Sequence, residues 1–306
     1  MFSAIENPVV SVCMITYNHE SYLHDAILGV LNQIVSFPVE FIIADDCSPD
    51  NTTAVLDSPS IKNHPNYHWI NYTRHDKNIG MIPNFLLASA LCRGQYIALC
   101  EGDDYWTNPT KLQTQFDFMQ ANPSFSGCFH KVNIINQNKE TIDVLPLNLT
   151  KTDFGFNDLV KGWFIPTSSL FYRNYKIHKA MVCFHNLISG DRLIVALLGD
   201  KGSLKYINET MGIYRKHPEG ISTQYASIKV LKSNVNLFKQ MLTFFKPRHK
   251  NVLQHQIFLW RGTLCREYLR NKNYSQWFLH LVKTAFCIRN YMDFKGYIKN
   301  YVLGKP

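Results

Sequence analysis

An apolar run is joined directly to an acidic cluster in one stretch of the chain, Gln95-Tyr96-Ile97-Ala98-Leu99-Cys100-Glu101-Gly102-Asp103-Asp104-Tyr105-Trp106. The apolar part is typical of a strand that is buried on both faces of a parallel sheet. Three carboxylates within four residues repel one another unless a cation or hydrogen bonds compensate. Mg²⁺ and Mn²⁺ accept such oxygen ligands together with the phosphates of a substrate. A solvated acidic turn is the alternative explanation of the cluster taken alone.

Three earlier apolar runs alternate with helical patterns. The runs cover residues 9–15, 39–44 and 69–73, and the helical patterns cover residues 22–31, behind Ser21 as a candidate cap, 84–91 and 111–120. Strands that alternate with helices at short spacing predict an α/β fold with a mainly parallel sheet. After about residue 125 we expect short strands and loops.

The predicted strands end in polar residues each time. The ends are Thr16-Tyr17-Asn18, Asp45-Asp46, Arg74-His75-Asp76 and the acidic cluster described above. In open parallel sheets, ligands bind beyond the carboxyl ends of the strands. The sequence therefore predicts a binding site at this edge of the sheet.

Composition and motifs exclude several classes of protein. The 306 residues are 46% hydrophobic and 18% charged, which suits one or two globular domains. No apolar run is long enough for a membrane-spanning helix, no secretory signal pattern opens the chain, and the eight cysteines form no C-x-x-C pair. We therefore expect a cytoplasmic protein with reduced thiols. The sequence also lacks a G-x-G-x-x-G, a P-loop and a G-x-S-x-G elbow, which argues against nicotinamide enzymes, P-loop NTPases and α/β-hydrolases.

The front of the chain resembles the family-2 nucleotide-sugar glycosyltransferases, which have the GT-A fold. The matching strings are VSVCMITYN at residues 10–18, IIADDCSPD at 42–50, NIG at 78–80 and GQYIALCEGDDYW at 94–106. They span about residues 8–125, and a weaker match continues to about Ile221. The resemblance implies an inverting, hexosyltransferase-type enzyme of polysaccharide and cell-envelope biosynthesis. Such an enzyme would move a sugar from a UDP-sugar to a hydroxyl of a glycan or lipid-linked saccharide.

The same resemblance implies roles for particular residues. Tyr17 would pack on the nucleobase, and Asp46, with Asp45 as second choice, would accept the imide N–H of the base. Asp103 would hold the ribose. The full set of expected donor-binding residues is Thr16, Tyr17, Asn18, Asp45, Asp46, Asn78, Gly80, Asp103 and Arg215.

A divalent cation, Mn²⁺ or Mg²⁺, is the cofactor that the resemblance implies. Asp104 would coordinate it, and His217 would either complete its coordination or join Arg215 in neutralising the departing diphosphate. A solvated basic turn is the alternative for these two later residues. The acidic motif of the family is usually D-x-D, whereas Gly102 stands two positions before Asp104. The division of roles among Glu101, Asp103 and Asp104 therefore stays open.

A general base is also required, because an acceptor hydroxyl has a high pKa and must lose its proton during attack. Asp191 precedes the apolar helical run at residues 193–198, and in the resembling family an acid before a helix here is the base. An Asp that merely caps the helix is the alternative. His130 and residues 166–169 are further candidates to face the sugars.

Charge divides the chain into two parts. From Ala226 onward there are fifteen Lys or Arg and two acids, a net charge of +13, whereas residues 1–225 carry −4. We expect a GT-A catalytic domain at 1–225, with a nucleotide-sugar half at 1–125 and an acceptor half at 126–225, followed by a basic helical region at 226–306. The basic region would either dock on an anionic membrane, at the inner face, or pack as a helical cap. No nucleic-acid-binding motif accompanies the charge.

Two other functions stay open at this point. A nucleotidyltransferase that makes sugar nucleotides would share the fold, but that class favours a Gly-rich N-terminal loop with basic residues, which residues 16–20 do not provide. A non-catalytic module that binds sugar nucleotides and docks on membranes is the second. The intact acidic cluster and Asp191 weigh against it.

Overall fold

The computed structural model describes residues 7–147, 149–218, 220 and 227–285. The chain forms two compact units, one of Met1–Cys183 with Ser189–His217 and one of Phe184–Ile188 with Pro218–Pro306. In the described part of the first unit, ten strands form one sheet. They are β1 (Val10–Thr16), β2 (Val39–Asp45), β3 (Ile70–Arg74), β4 (Tyr96–Leu99), β5 (Tyr105–Trp106), β6 (Gly127–Ile135), β7 (Thr141–Leu145), β8 (Asp153–Phe154), β9 (Phe171–Arg173) and β10 (Leu204–Arg215).

Helices of the first unit lie between these strands. They are α1 (Leu23–Leu31), α2 (Thr52–Val55), α3 (Pro59–Lys62), α4 (Met81–Leu91), α5 (Lys111–Ala121), α6 (Phe156–Leu159), α7 (Ile177–Met181) and α8 (Asp191–Lys201). The main hydrophobic core includes Val12 and Met14 of β1, Ile27 of α1 and Leu112 of α5, each of them fully buried.

The strand order across the sheet is β3-β2-β1-β4-β9-β6-β10-β5, with β7 paired to β6 and β8 to β10. The first four strands are all parallel, and β6 is parallel to β10, whereas the short strands β5, β7, β8 and β9 pair antiparallel. Strand β1 has β2 on one side and β4 on the other, so the order of the chain reverses there. A crevice at the carboxyl ends of strands at such a reversal is the usual place for a ligand.

The predicted α/β fold with a mainly parallel sheet is confirmed, and the strands and helices predicted up to α5 lie within about three residues of their predicted ends. The short elements α2, α3 and β5 were not predicted. Two details were wrong. Helix α1 begins after Tyr22 and has no side-chain cap, so Ser21 does not cap it. The strands after residue 125 are not all short, because β6 has nine residues and β10 has twelve, with register irregularities between Ile207 and Gly212.

The second unit contains three described helices: α9 (Ile228–Phe244), α10 (Lys250–Arg270) and α11 (Tyr274–Ala285). Ser227 caps α9, since its hydroxyl accepts a hydrogen bond from the amide of Val230. Leu231, Leu264 and Tyr268 form the buried centre of this unit. Helices here agree with the sequence prediction as far as residue 285, and the rest of the predicted basic region, 286–306, lies outside the described residues. None of the helices described in either unit is both long and apolar enough to cross a bilayer.

Candidate active site

The end of β2 carries the two acids that were expected to bind the nucleobase. Asp46 accepts hydrogen bonds from the backbone amides of Ile79 and Gly80 at 2.7 and 2.8 Å, one on each carboxylate oxygen. Gly80 has a φ of 91°, which glycine adopts without strain. Each carboxylate oxygen has a second acceptor position, so Asp46 can still accept an imide N–H.

The carboxylate of Asp45 accepts more hydrogen bonds from neighbouring residues than that of Asp46 does. It is fully buried, and it accepts hydrogen bonds from the amide and hydroxyl of Ser48 at 2.9 and 2.6 Å and from the hydroxyl of Tyr72 at 2.7 Å. Arg74 lies 3.6 Å from the same carboxylate. These contacts shape the loop after β2, and they leave Asp46 as the better candidate for the base.

Four other expected donor-binding residues lie near the same sheet edge. Tyr17 is 44% exposed, so its ring is open to stacking. Asn18 has a φ of 60°, and its amide donates to the Ser48 hydroxyl at 3.0 Å. The Asn78 side chain accepts from the Gly80 amide at 3.1 Å. Thr16 is buried, and its hydroxyl has no hydrogen-bond partner among the described residues.

The acidic cluster follows β4 and closes against the end of β1. The Gly102 amide donates to the Ile15 carbonyl at 3.1 Å. A Cβ at Gly102 would lie 2.7 Å from both His19 Nδ1 and Thr16 Oγ1. A side chain at position 102 would therefore collide with the end of β1. This explains why the chain has glycine at the position where the family motif is expected to carry an acid.

Asp103 lies between two histidines. His217 Nε2 is hydrogen-bonded to Asp103 Oδ2 at 3.1 Å, and His19 Nε2 lies 3.9 Å from the same oxygen. Burial opposes ionisation of Asp103, but the hydrogen bond from His217 and the nearby His19 outweigh it and lower its pKa. The imidazole of His217 also lies 5.1 Å from the ring of Tyr22. The structure thus brings His217 to Asp103, a pairing that the sequence did not indicate.

Asp104 is buried one residue further along. Its Oδ1 accepts a hydrogen bond from the Arg215 amide at 3.0 Å, whereas its Oδ2 has no partner among the described residues. Burial and the negative charge of Asp103 raise the pKa of Asp104 well above its usual range. A carboxylate in this position needs a cation nearby to remain ionised.

Arg215 reaches the cluster through its backbone. Its guanidinium forms an ion pair with Asp25 of α1 and lies 4.6 Å from the ring centre of Tyr105. It is also 5.4 Å from the ring centre of Tyr22. The charge that was expected to face the diphosphate is therefore directed at α1 in this structure.

These side chains fit a divalent cation that shares its coordination with a substrate. Asp103 offers an ionised carboxylate, His217 an imidazole and Asp104 an unpartnered buried oxygen. Within the described part of the chain, no group of three or more His, Cys, Asp or Glu is arranged to hold a metal ion by itself. The remaining ligands would therefore have to be diphosphate oxygens and water, as is usual for Mg²⁺.

Asp191 lies in a cleft that it shares with Glu101. Its Oδ2 accepts a hydrogen bond from Trp163 Nε1 at 3.2 Å, and its Oδ1 accepts one from the Ser189 hydroxyl at 2.9 Å. Asp191 is the first residue of α8, whereas the cap position belongs to Gly190. The carboxylate is thus oriented by side chains outside the helix, which argues against a purely capping role.

The cleft at Asp191 also contains Thr167 of the expected segment 166–169. Burial, together with the negative charges of Asp104, Asp103 and Asp191, raises the pKa of Glu101 well above its usual range. Apolar side chains also line the cleft, among them Met81, Ile82 and Phe85 of α4. The two acids therefore face a partly apolar space in which a reacting group would be shielded from water.

Sequence reasoning missed three of these residues and misplaced one. His19 adjoins the strand-end motif, so its position beside Asn18 was a usable signal. Trp163 and Tyr22 carried no local signal, because their partners lie far away along the chain. His130 was a candidate to face the sugars, but its side chain is fully buried within β6, so it does not have the exposure that this role requires.

Solved structures share this fold. A fragment of Staphylococcus aureus TarS, residues 1–349, in complex with UDP-GlcNAc matches with a TM-score of 0.63 at 16% identity, over 90% of this chain and 91% of that one. The mannosyltransferase PcManGT from Pyrobaculum calidifontis, in complex with GDP-Man and Mn²⁺, matches with a TM-score of 0.59 at 13% identity, over 99% and 84%. The expected GT-A fold with C-terminal helices is confirmed by these likenesses.

The protein family follows from the sequence itself. The chain belongs to glycosyl transferase family 2, whose model matches residues 11–183. An uncharacterized protein of Mycobacterium tuberculosis (strain ATCC 25618 / H37Rv) is 33% identical over 212 residues, which is 69% of this chain. The chain spans 60% of the length of that relative. The resemblance inferred from the four strings is therefore confirmed at the level of family.

Proposed function

We propose that this chain is an inverting glycosyltransferase that moves a hexose from a UDP-sugar to a hydroxyl of a glycan or lipid-linked saccharide. The observation that carries the proposal is the meeting of Asp103, Asp104 and His217 at the sheet edge that also holds Asp46. Membership of glycosyl transferase family 2 supports it.

The nucleoside would lie on the strand ends of β1 and β2. The exposed ring of Tyr17 would stack on the base, and Asp46 would accept its imide N–H while continuing to bind the loop at Gly80. The uridine nucleotide is chosen because the TarS fragment that shares the fold binds UDP-GlcNAc. A guanosine donor, as in the mannosyltransferase complex, is the competing outcome of the donor screen below.

Asp103 and His217 would hold the divalent cation, with Asp104 Oδ2 facing it from the buried side. When bound, Mn²⁺ or Mg²⁺ would stabilise the negative charge that develops on the leaving diphosphate. The family resemblance had implied that Asp103 binds the ribose and that Asp104 and His217 bind the cation. The proximity of His217 to Asp103 supports the revised division, in which Asp103 is the more exposed of the two acids.

Asp191 would act as the general base. Trp163 and Ser189 donate hydrogen bonds to its two oxygens, and these bonds fix the orientation of the carboxylate. The acceptor hydroxyl would enter the cleft beside Thr167 and lose its proton to Asp191 as it attacks the anomeric carbon. A single displacement of this kind inverts the configuration at that carbon.

The test begins with a screen of nucleotide-sugars for thermal stabilisation in the presence of Mn²⁺, because a ligand that binds the folded state raises the melting temperature. The rate of UDP release would then be measured for the wild type, Asp103→Asn, His217→Gln and the surface control Asp143→Asn. We expect the first two variants to lose metal-dependent donor binding and turnover, with the control unchanged.

Two outcomes would contradict this function. If Asp103→Asn turned over at the wild-type rate in EDTA, the proposed metal site would be contradicted. Release of pyrophosphate from UTP and a sugar 1-phosphate, without UDP release from any nucleotide-sugar, would identify a nucleotidyltransferase instead.

A further inference from the structure

Helix α11 presents an apolar ridge to the solvent. Tyr274, Phe278 and Val282 are four residues apart and so lie on one face of the helix, and they are 60%, 62% and 38% exposed. Leu279 beside them is 42% exposed. Trp277 packs against the buried centre of the second unit from another face of the helix. The ridge is therefore not the face by which α11 contributes to its own core.

Single exposed apolar side chains are ordinary on protein surfaces. Four large ones within nine residues of one helix are different, because contiguous apolar patches mark places where another body docks. The polypeptide around the ridge indicates which body fits. Residues 227–285 contain eleven Lys or Arg and one acid, Glu267.

Several of these cations lie next to α11. Arg261 of α10 donates a hydrogen bond to the carbonyl of Lys283. The pKa of His280 is lowered by burial and by the positive charges of Lys283, Arg261, Lys232 and Lys239. His280 lies on the face of α11 opposite the ridge, 5.2 Å from the ring of the buried Tyr268. Cations from all three helices are thus near the inner face of α11, and the basic character of the ridge's surroundings follows from the net charge of the second unit. An acidic protein surface would match the charge alone, whereas a lipid surface matches both the charge and the apolar side chains.

We propose that the ridge of α11, carried by a segment, residues 227–285, that has eleven Lys or Arg and one acid, docks on an anionic lipid bilayer. Tyr274, Phe278 and Val282 would enter the boundary between headgroups and acyl chains, and the cations would face the lipid phosphates. Docking on a bilayer rests on the proposed function in one respect, because a lipid-linked acceptor would be presented at such a surface.

The test is sedimentation of the full chain with vesicles of phosphatidylcholine alone or of phosphatidylcholine mixed with phosphatidylserine. We expect binding to the anionic vesicles at low salt, and loss of binding near 1 M salt, where the Debye length falls from about 10 Å to about 3 Å. The double variant Phe278→Ser/Val282→Ser should bind about tenfold more weakly, since each side chain loses its apolar burial. Lys272→Gln/Lys283→Gln should also bind more weakly.

Matched controls separate the ridge from general surface effects. Ile34→Ser removes a 67% exposed apolar side chain from the first unit, and Lys139→Gln/Lys201→Gln removes two exposed cations from it. Neither control should change binding. All the substituted side chains on α11 are exposed, so circular dichroism should show an unchanged fold.

The proposal is overturned if the wild type stays in the supernatant with both kinds of vesicle, if neutral vesicles bind it equally, or if the Phe278→Ser/Val282→Ser variant binds as the wild type does. A wild-type dimer that this variant converts to a monomer, without vesicle binding by either, would assign the ridge to a second copy. UDP-sugar hydrolysis without vesicles should be the same in all these proteins. If the wild type did not hydrolyse UDP-sugars, this result would contradict the proposed function but not the docking of the ridge.

Discussion

Replacing Gly102 by alanine tests how tightly the acidic cluster is held. The added Cβ would lie 2.7 Å from His19 Nδ1 and Thr16 Oγ1 and 2.9 Å from Thr16 Cβ. Ordinary contacts of a Cβ begin at about 3.4 Å, so the atoms must separate by roughly 0.5–1 Å. Thr16 ends the central strand and pairs with Asp45, and the loop is therefore expected to move instead.

The displacement would be transmitted to Asp103, the next residue. A misplacement of about 1 Å in a catalytic constellation can reduce the rate about 10²-fold, and the overpacking itself costs about 1–3 kcal/mol. We expect Gly102→Ala to remain folded, to unfold at lower urea concentration and to lose about two orders of magnitude in UDP-sugar turnover.

UDP release is the assay, with urea unfolding beside it. Gly155→Ala is the matched control, because a Cβ there would meet nothing closer than Ser203 Oγ at 4.0 Å. The control should keep its turnover within about twofold, since added volume in open space causes no displacement. Full turnover by Gly102→Ala would show that the cluster is not held against β1 in the way described.

Two further predictions concern stability. Glu40 is 2% exposed and accepts hydrogen bonds from the amide and guanidinium of Arg93. Glu40→Ala should therefore lower the free energy of unfolding, measured in urea, by about 2–3 kcal/mol. The control Asp57→Ala, at an exposed ion pair, should lower it by less than about 1 kcal/mol. A loss below 1 kcal/mol at Glu40 would contradict this. Burial and the charge of Lys111 lower the pKa of His130 to about 3, so between pH 6.5 and 3 the unfolded chain binds a proton that the folded chain does not. Stability should therefore fall by about 2 kcal/mol from pH 7 to 4.5, and the fall should be smaller in His130→Gln; an equal fall would refute the assignment.

The sequence was informative where chemistry repeats locally. Apolar runs that end in polar residues located β1, β2, β3 and β4, and their parallel pairing brought those ends to one edge as expected. The same logic placed Asp46 and the acidic cluster together. The spacing of apolar residues and the polar residues at strand ends are both visible within short stretches, so they can be recognised in a single sequence.

The remaining features depend on contacts between distant residues. His217 meets Asp103 across 114 positions of sequence, because β10 runs for twelve residues and ends beside the acidic cluster. Arg215, two residues earlier, turns its charge to Asp25 of α1. No local pattern encodes which way that side chain points, since the choice depends on the packing of α1 against the sheet.

The division of roles among the acids was also beyond the sequence. Glu101, Asp103 and Asp104 have similar chemistry and adjoin one another. Only their surroundings distinguish them: a histidine at Asp103, a backbone amide at Asp104, and the Asp191 cleft at Glu101. Burial and partners of this kind come from tertiary structure.

The central claim is that Asp191 deprotonates the acceptor while other residues hold the donor. The most direct measurement combines calorimetric titration of the UDP-sugar with turnover for Asp191→Asn and the wild type. The account predicts an unchanged donor affinity and a turnover that falls by about 10²–10⁴, the usual share of general-base catalysis. Equal losses in affinity and turnover, or no loss in either, would contradict it.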